Sequence, residues 1–226
     1  MRIALGQLNM VWEDKELSLQ KAEKLMEQAS AQKADILFFP EMSFTGFSMN
    51  LAKIGESGEA SDTVRQMKEL AVRYKMAVGF GWAALPEPGQ EKGTNRFTLL
   101  DKDGQELTEY VKLHPFRYGG EADVYQGGDQ LVTVPFCGHR ISLFVCYDLR
   151  FPEIFQAVSD QSDLMVVIAD WPASRADHWL ALLKARAIEN QSYMAGVNCV
   201  GDIDGLSYSG DSSDYIVTSI RENKAS

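Results

Sequence analysis

The 226-residue chain has little cysteine, little histidine and no long apolar run. Its three cysteines, Cys137, Cys146 and Cys199, make no C-x-x-C pair, which excludes a zinc ribbon or a dithiol redox motif. A sparse, odd-numbered set also argues against a disulfide framework and for a reducing compartment. The three histidines, His114, His139 and His178, lack H-x-x-x-H spacing, so no metal site is expected. No stretch approaches the ~20 apolar residues of a membrane span. Met1–Met10 has no basic region leading into an apolar one, so no signal peptide is expected. The expectation is a cytoplasmic protein without a membrane partner. There is no Lys/Arg run either, and 22 basic against 32 acidic residues leave a net charge of −10. Such a chain is repelled by phosphate backbones, so nucleic acid is not an expected partner.

What is present is the mix of a folded globular protein, 45% hydrophobic and 24% charged. Its length, against ~150 residues for a typical domain, predicts one large domain over 1–226. No repeat or linker divides it. Ile3–Asn9, Ala34–Pro40, Met76–Leu85, Leu164–Ala169 and Tyr193–Val200 read as strands, and the continuous apolar ones suit burial on both faces. Helical spacing predicts helices over Asp14–Gln32, after a Ser61 cap, over Phe151–Ser159 and over Ala176–Gln191. Hairpins are predicted around Asp101–Gly104 and around Cys137-Gly138-His139. Alternating early elements and central hairpins predict a layered α/β protein with a mixed sheet.

Three stretches place an ionisable residue at or just beyond a strand end, where sites assemble in α/β folds. They are FFPEM with Glu41, YVKLHP with Lys112, and FVCYDLRFPE with Cys146. A free thiol has a pKa of ~8.5 and needs help to be nucleophilic at neutral pH. A neighbouring carboxylate can take its proton and later deliver it to a leaving group. A lysine cation offsets the charge of thiolate and oxyanion alike. The main-chain N–H of Tyr147 is a natural second oxyanion donor if the chain turns sharply after the strand. Each residue also has a plainer reading: a buried cysteine as a small hydrophobe, Glu41 as a solvated strand end, Lys112 as part of a half-exposed strand. His114 offers a rival cysteine–histidine mechanism, or a hydrogen-bonding role around the pocket. Cys199 reads as core and Cys137 as turn.

Together these stretches resemble the nitrilase superfamily of carbon–nitrogen hydrolases. Its Glu–Lys–Cys triad matches Glu41 in FPEMSFTG, Lys112 in YVKLHPF and Cys146 in CYDLRFPE. The family's further acidic residue matches Glu121 in FRYGGEADVYQGG. CYDLRFPE, ADWPASR and LLKARAIENQSYMAGVNCVG look most like omega-amidases, which cleave the terminal amide of dicarboxylate monoamides such as 2-oxoglutaramate. The resemblance implies a four-layer α-β-β-α sandwich, a cofactor-free thioester mechanism, a small amide substrate and a homodimer. Other amidase or carbamoylase substrates, or a binding paralogue without turnover, stay open alternatives.

An acidic substrate needs a cation for its remote carboxylate. Arg150 is the nearest in sequence, and Arg175 a second; the alternative reading of Arg150 is a brace for its own loop through Asp148 or Glu153. Asp170 and Trp171 end a strand and are expected to wall the pocket. Phe44, Phe47 and Tyr118 are candidates for its mouth. The resemblance covers about 1–212. Beyond it, 213–226 is atypical: one strand at Tyr215–Ile220 is expected, without the family's return strand and tail.

Overall fold

Apolar runs that alternate between two cores, rather than between core and water, build a pair of sheets covered on both faces. A computed structural model describes residues 1–58 and 60–215. The first sheet holds β1 (Ile3–Leu5), β2 (Ile36–Phe38), β3 (Ala77–Ala84), β4 (Gly93–Leu100) and β5 (Glu106–Val111) in that order, with β6 (Tyr125–Gln126) also paired to β4. β1, β2 and β3 are parallel; β3, β4 and β5 are antiparallel. The second sheet contains β7 (Thr133–Phe136), β8 (His139–Val145), β9 (Leu164–Ala169), β10 (Tyr193–Asn198) and β13 (Ser213–Tyr215), the last pairing antiparallel with β10. A separate hairpin joins β11 (Val200–Ile203) to β12 (Leu206–Ser209).

The period-2 alternation of strands sorts the side chains. Ile36 and Phe38 point with Phe97, Leu99 and Tyr110 toward Ile141, Leu143, Val145, Val166 and Ile168 of the other sheet. Leu37, Val78 and Phe80 point the opposite way. There they meet Ala22 and Met26 of α1 (Lys15–Ala31) and Met67 and Ala71 of α3 (Asp62–Tyr74). On the far side, Phe144, Met165 and Val167 pack against Phe155 of α5 (Pro152–Val158) and Trp179 and Leu183 of α6 (Ala176–Asn190). Three apolar layers therefore separate four structural layers, the expected α-β-β-α sandwich. Two one-turn helices, α2 (Leu51–Ile54) and α4 (Glu121–Val124), lie in loops. Among the described residues no helix is long and apolar enough to cross a membrane.

Local chemistry sets most boundaries where expected. Asp14 caps α1 by accepting from the Leu17 N–H at 3.0 Å, and Pro152 opens α5. Cys137 and Gly138 both have positive φ, as a tight primed hairpin turn requires. Two expected strands are shorter. After Leu5 the chain leaves the sheet edge and turns Leu8 and Met10 into the helix-side core. β2 stops at Phe38, just before Pro40, which has no N–H for a ladder. The C-terminal strand starts earlier than expected, at Ser213; of the expected Tyr215–Ile220, residues 216–220 lie outside the described residues.

Ser61 accepts from the Val64 N–H at 3.0 Å and also donates to Glu56, which itself accepts from Thr63. Ser61→Ala should cost about 1 kcal/mol. In thermal melts that is a fall of roughly 2–4 °C for a domain of this size, and an unchanged midpoint would mean the cap contributes nothing.

Candidate active site

Four strand ends and loops converge at one end of the sandwich. Glu41 follows β2, and its backbone is pressed against Gly81 of β3. A Cβ at position 81 would lie 2.5 Å from Met42 N and 2.9 Å from Glu41 Cα, so only glycine admits this approach. Lys112 follows β5, its N–H donating to Asn95 O at 2.9 Å. Glu121 opens α4. Cys146 follows β8 at φ +46° and starts the 3-10 turn Cys146–Arg150. A left-handed conformation costs a non-glycine residue of order 1–3 kcal/mol and persists only where its surroundings fix it. Asp148 does the fixing. It accepts from Val145 N–H at 3.1 Å, Tyr110 OH at 2.8 Å and His114 N–H at 3.0 Å, and pairs with His114 Nδ1 at 2.8 Å.

Lys112, Glu41 and Glu121 are 1%, 0% and 0% exposed, so their charges must satisfy one another. Lys112 Nζ donates to Glu41 Oε1 at 2.7 Å and to Glu121 Oε2 at 2.8 Å. Asn95 Nδ2 reaches Glu41 Oε1 at 2.7 Å and Glu121 Oε1 at 2.9 Å, joining the carboxylates from β4. The Phe116 N–H donates to Glu121, and the Asp170 N–H to Glu41 Oε2 at 3.1 Å. Phe47 covers the ammonium, its ring centroid 5.2 Å from Nζ.

These contacts set the protonation states. Burial disfavours the Lys112 cation, but the charges of Glu121 and Glu41 outweigh it and hold its pKa well above the ordinary range. Burial, and then the Glu41 charge, push the Cys146 thiol well above its ordinary value; Lys112 offsets this only in part. Burial also raises Glu121, against the pull of Lys112. Together these directions favour a neutral resting thiol beside Glu41, with a lysine cation between two carboxyl groups.

A cavity of about 470 Å³ opens over Cys146 and Glu41, walled by Phe47, Tyr147, Arg150, Asp170, Trp171 and Arg175. Arg150 does not brace its loop through Asp148 or Glu153. Its guanidinium stacks 4.9 Å over Trp171, and Nη2 lies 3.3 Å from His178 Nδ1, with no salt bridge among the described residues. Arg175 lies 5.7 Å over the Phe116 ring, again without an ion pair among the described residues. Trp171 is clamped by Asn198, which accepts from its N–H at 2.7 Å and donates to its O at 2.9 Å.

Three expectations need correction. His114 is not part of the cavity wall: its ring nitrogen and N–H are engaged by Asp148 and its face stacks on Phe151 at 3.7 Å, so it props the Cys146 turn from behind. Phe44 is buried in the helix-side core, since its ring packs on Phe39 and Phe80. Tyr118 is 92% exposed and does not line the cavity. Asn95 and Asn198 carry no functional signal in the sequence, because an asparagine in a strand has no diagnostic spacing. Trp12, from the loop after β1, and Tyr208, on β12, also line the cavity from positions distant in sequence.

A family model for carbon–nitrogen hydrolase matches residues 2–216. The chain is 40% identical over 213 residues to the omega-amidase YafV of Yersinia enterocolitica, covering 94% of this chain and 80% of that one. It is 32% identical over 198 residues to the 2-oxoglutaramate amidase of Bacillus subtilis, covering 86% and 74%. Among solved structures, XC1258 from Xanthomonas campestris, a CN-hydrolase superfamily protein with an arsenic adduct in its active site, superposes with a TM-score of 0.88 at 33% identity, covering 96% and 82%. An amidase from Nesterenkonia sp. AN1, seen after acrylamide added to its active-site cysteine, superposes at 0.86 with 27% identity, covering 95% and 84%.

A neutral resting thiol has a kinetic signature. Iodoacetamide should modify Cys146 slowly at neutral pH, with the rate still climbing above the ~8.5 of a free thiol. A rate profile that levels off below that value would contradict the neutral thiol. Asn95→Ala removes two hydrogen bonds to carboxylates and should lower kcat at least about tenfold with little change in KM. A loss confined to KM would place Asn95 in substrate binding instead.

Proposed function

The chain belongs to the carbon–nitrogen hydrolase family and is an amidase, and from that premise we propose that it hydrolyses the terminal amide of a small dicarboxylate monoamide such as 2-oxoglutaramate. The observation that carries this reading is one buried ammonium held between two carboxyl groups directly beneath a cysteine on a strained turn.

In this reading Cys146 attacks the amide carbon as its proton passes to Glu41. A standing thiolate is not needed, since the thiol is neutral until substrate arrives. The tetrahedral oxyanion develops against Lys112 and the Tyr147 N–H. The charge count stays constant: Glu41 becomes neutral as the oxyanion becomes negative, and Lys112 faces both throughout. Glu41 then protonates the amine, ammonia leaves, and a thioester remains. Glu41 next takes a proton from water, whose oxygen attacks the thioester carbon and releases the acid and the thiol. Glu121, fixed by Lys112, Asn95 and the Phe116 N–H, holds the lysine in place.

Support for an acidic substrate comes from Arg150 and Arg175, two guanidinium groups on the cavity wall with no carboxylate partner among the described residues. A bidentate pair with a substrate carboxylate would orient the amide toward Cys146. The names of the YafV and Bacillus relatives point to the same substrate class. A homodimer in the cytoplasm completes the proposal.

Ammonia release from 2-oxoglutaramate and succinamate, set beside neutral amides, nitriles and carbamoyl compounds, tests this directly. Cys146→Ala should abolish turnover, and Glu41→Gln should lower it by about 10²–10⁴. Arg150→Ala should raise KM for acidic amides roughly 10–100-fold, the worth of a charge-assisted hydrogen bond, and spare neutral amides. Equal effects on both substrate classes would reject the clamp. A folded protein silent across the whole panel would favour a binding role.

A further inference from the structure

Asp170 is a buried carboxyl beside the site that has, among the described residues, neither a paired cation nor the set of donors that satisfies Asp148. It ends β9 and is 5% exposed, and its N–H holds Glu41 Oε2 at 3.1 Å. Glu41 and Glu121 share Lys112, whereas no cation pairs with Asp170 among the described residues. Its Oδ1 is buried without a hydrogen-bond partner among them. The Cys199 thiol and the Phe47 N–H are the groups that approach the carboxyl; Cys199 is itself fully buried. Around it stand Glu41 after β2, Lys112 after β5, Cys199 after β10 and Tyr208 on β12. An uncompensated carboxylate in such a place is strongly disfavoured, and a neutral acid avoids that penalty. Burial, with the neighbouring Glu41 charge, raises the Asp170 pKa well above the usual carboxylate range, in agreement with the geometry.

We propose that Asp170 is a positioning residue for Glu41 that works as an uncharged carboxylic acid, its main chain fixing Glu41 Oε2 while its protonated side chain anchors the end of β9 against Phe47 and Cys199. An ionised Asp170 would add a third negative charge beside Glu41 and Glu121, with Lys112 the single lysine there among the described residues, opposing both the developing oxyanion and an acidic substrate. Kept neutral, its side chain adds no charge while its N–H holds Glu41 Oε2. The positioning role rests on Glu41 being the base; the protonation state does not.

Infrared difference spectra of the folded protein at neutral pH test the protonation state. A carboxylic-acid carbonyl band should be present in the wild type and absent from Asp170→Asn. Asp170→Ser, smaller and also uncharged, gives the same reading should the asparagine variant fail to fold. No band lost in either variant would overturn the neutral acid. Turnover tests the positioning. Asp170→Ala should lower kcat/KM roughly tenfold or more, by freeing the strand end that holds Glu41. Asp170→Asn, which matches a neutral acid in shape but not a carboxylate in charge, should recover most of that loss. Asparagine no better than alanine, or alanine without any loss, would overturn the role. Glu41→Gln separates the two claims: full turnover in that variant removes Glu41 as base and leaves the infrared result standing.

Discussion

One buried ammonium organises the catalytic end of this protein. Two carboxylates taken out of water side by side are strongly disfavoured unless a cation stands between them, and Lys112 is that cation for Glu41 and Glu121. Its contacts fix the position of Glu41, and with it the partner of the Cys146 thiol. They also fix Glu121, and through the Phe116 N–H the loop that follows β5. Removing the lysine would leave two carboxylates buried and unpaired, so the same interaction serves stability and chemistry.

The sandwich supplies the rigidity that this arrangement needs. Glu41, Lys112 and Cys146 each stand just past a strand, and each strand is held by ladder bonds to its neighbours. Glu41 and Lys112 come from the first sheet and Cys146 from the second. The central apolar layer between the sheets therefore sets the distance between nucleophile and base. Behind the nucleophile, Asp148 ties the Cys146 turn to Tyr110 of the first sheet, a second link across the same layer.

Charge is arranged on two scales. The net charge of −10 opposes the approach of an anionic substrate over long range, and salt screens it beyond roughly 8–10 Å. Inside the cavity the balance is local. Arg150 and Arg175 stand on aromatic rings without carboxylate partners among the described residues, and Lys112 lies below. The cavity wall also carries Glu13 and Asp204, so the two guanidinium groups act at short range, as individual contacts rather than through the overall field.

The sequence by itself determined the elements that local physics controls. Period-2 and 3.6-residue patterns marked the strands and helices, and Asp14, Ser61 and Pro152 marked their starts. The strand-end motifs around Glu41, Lys112 and Cys146 named residues that the fold brings together, and only their joint occurrence outweighed the plainer reading of each. Other features belong to tertiary structure alone. His114 and Arg150 have side chains long enough for several partners, and it was Asp148 and Trp171, delivered by other elements, that chose between them. Asn95 and Asn198 became hubs because distant strands placed carboxylates or a main chain beside them. In the sequence Asp170 is a pocket wall; that its carboxyl is buried without a cation among the described residues depends on where the lysines and arginines are placed. Local order follows from spacing along the chain, whereas hydrogen-bond choice and charge state follow from neighbours, which only the folded chain supplies.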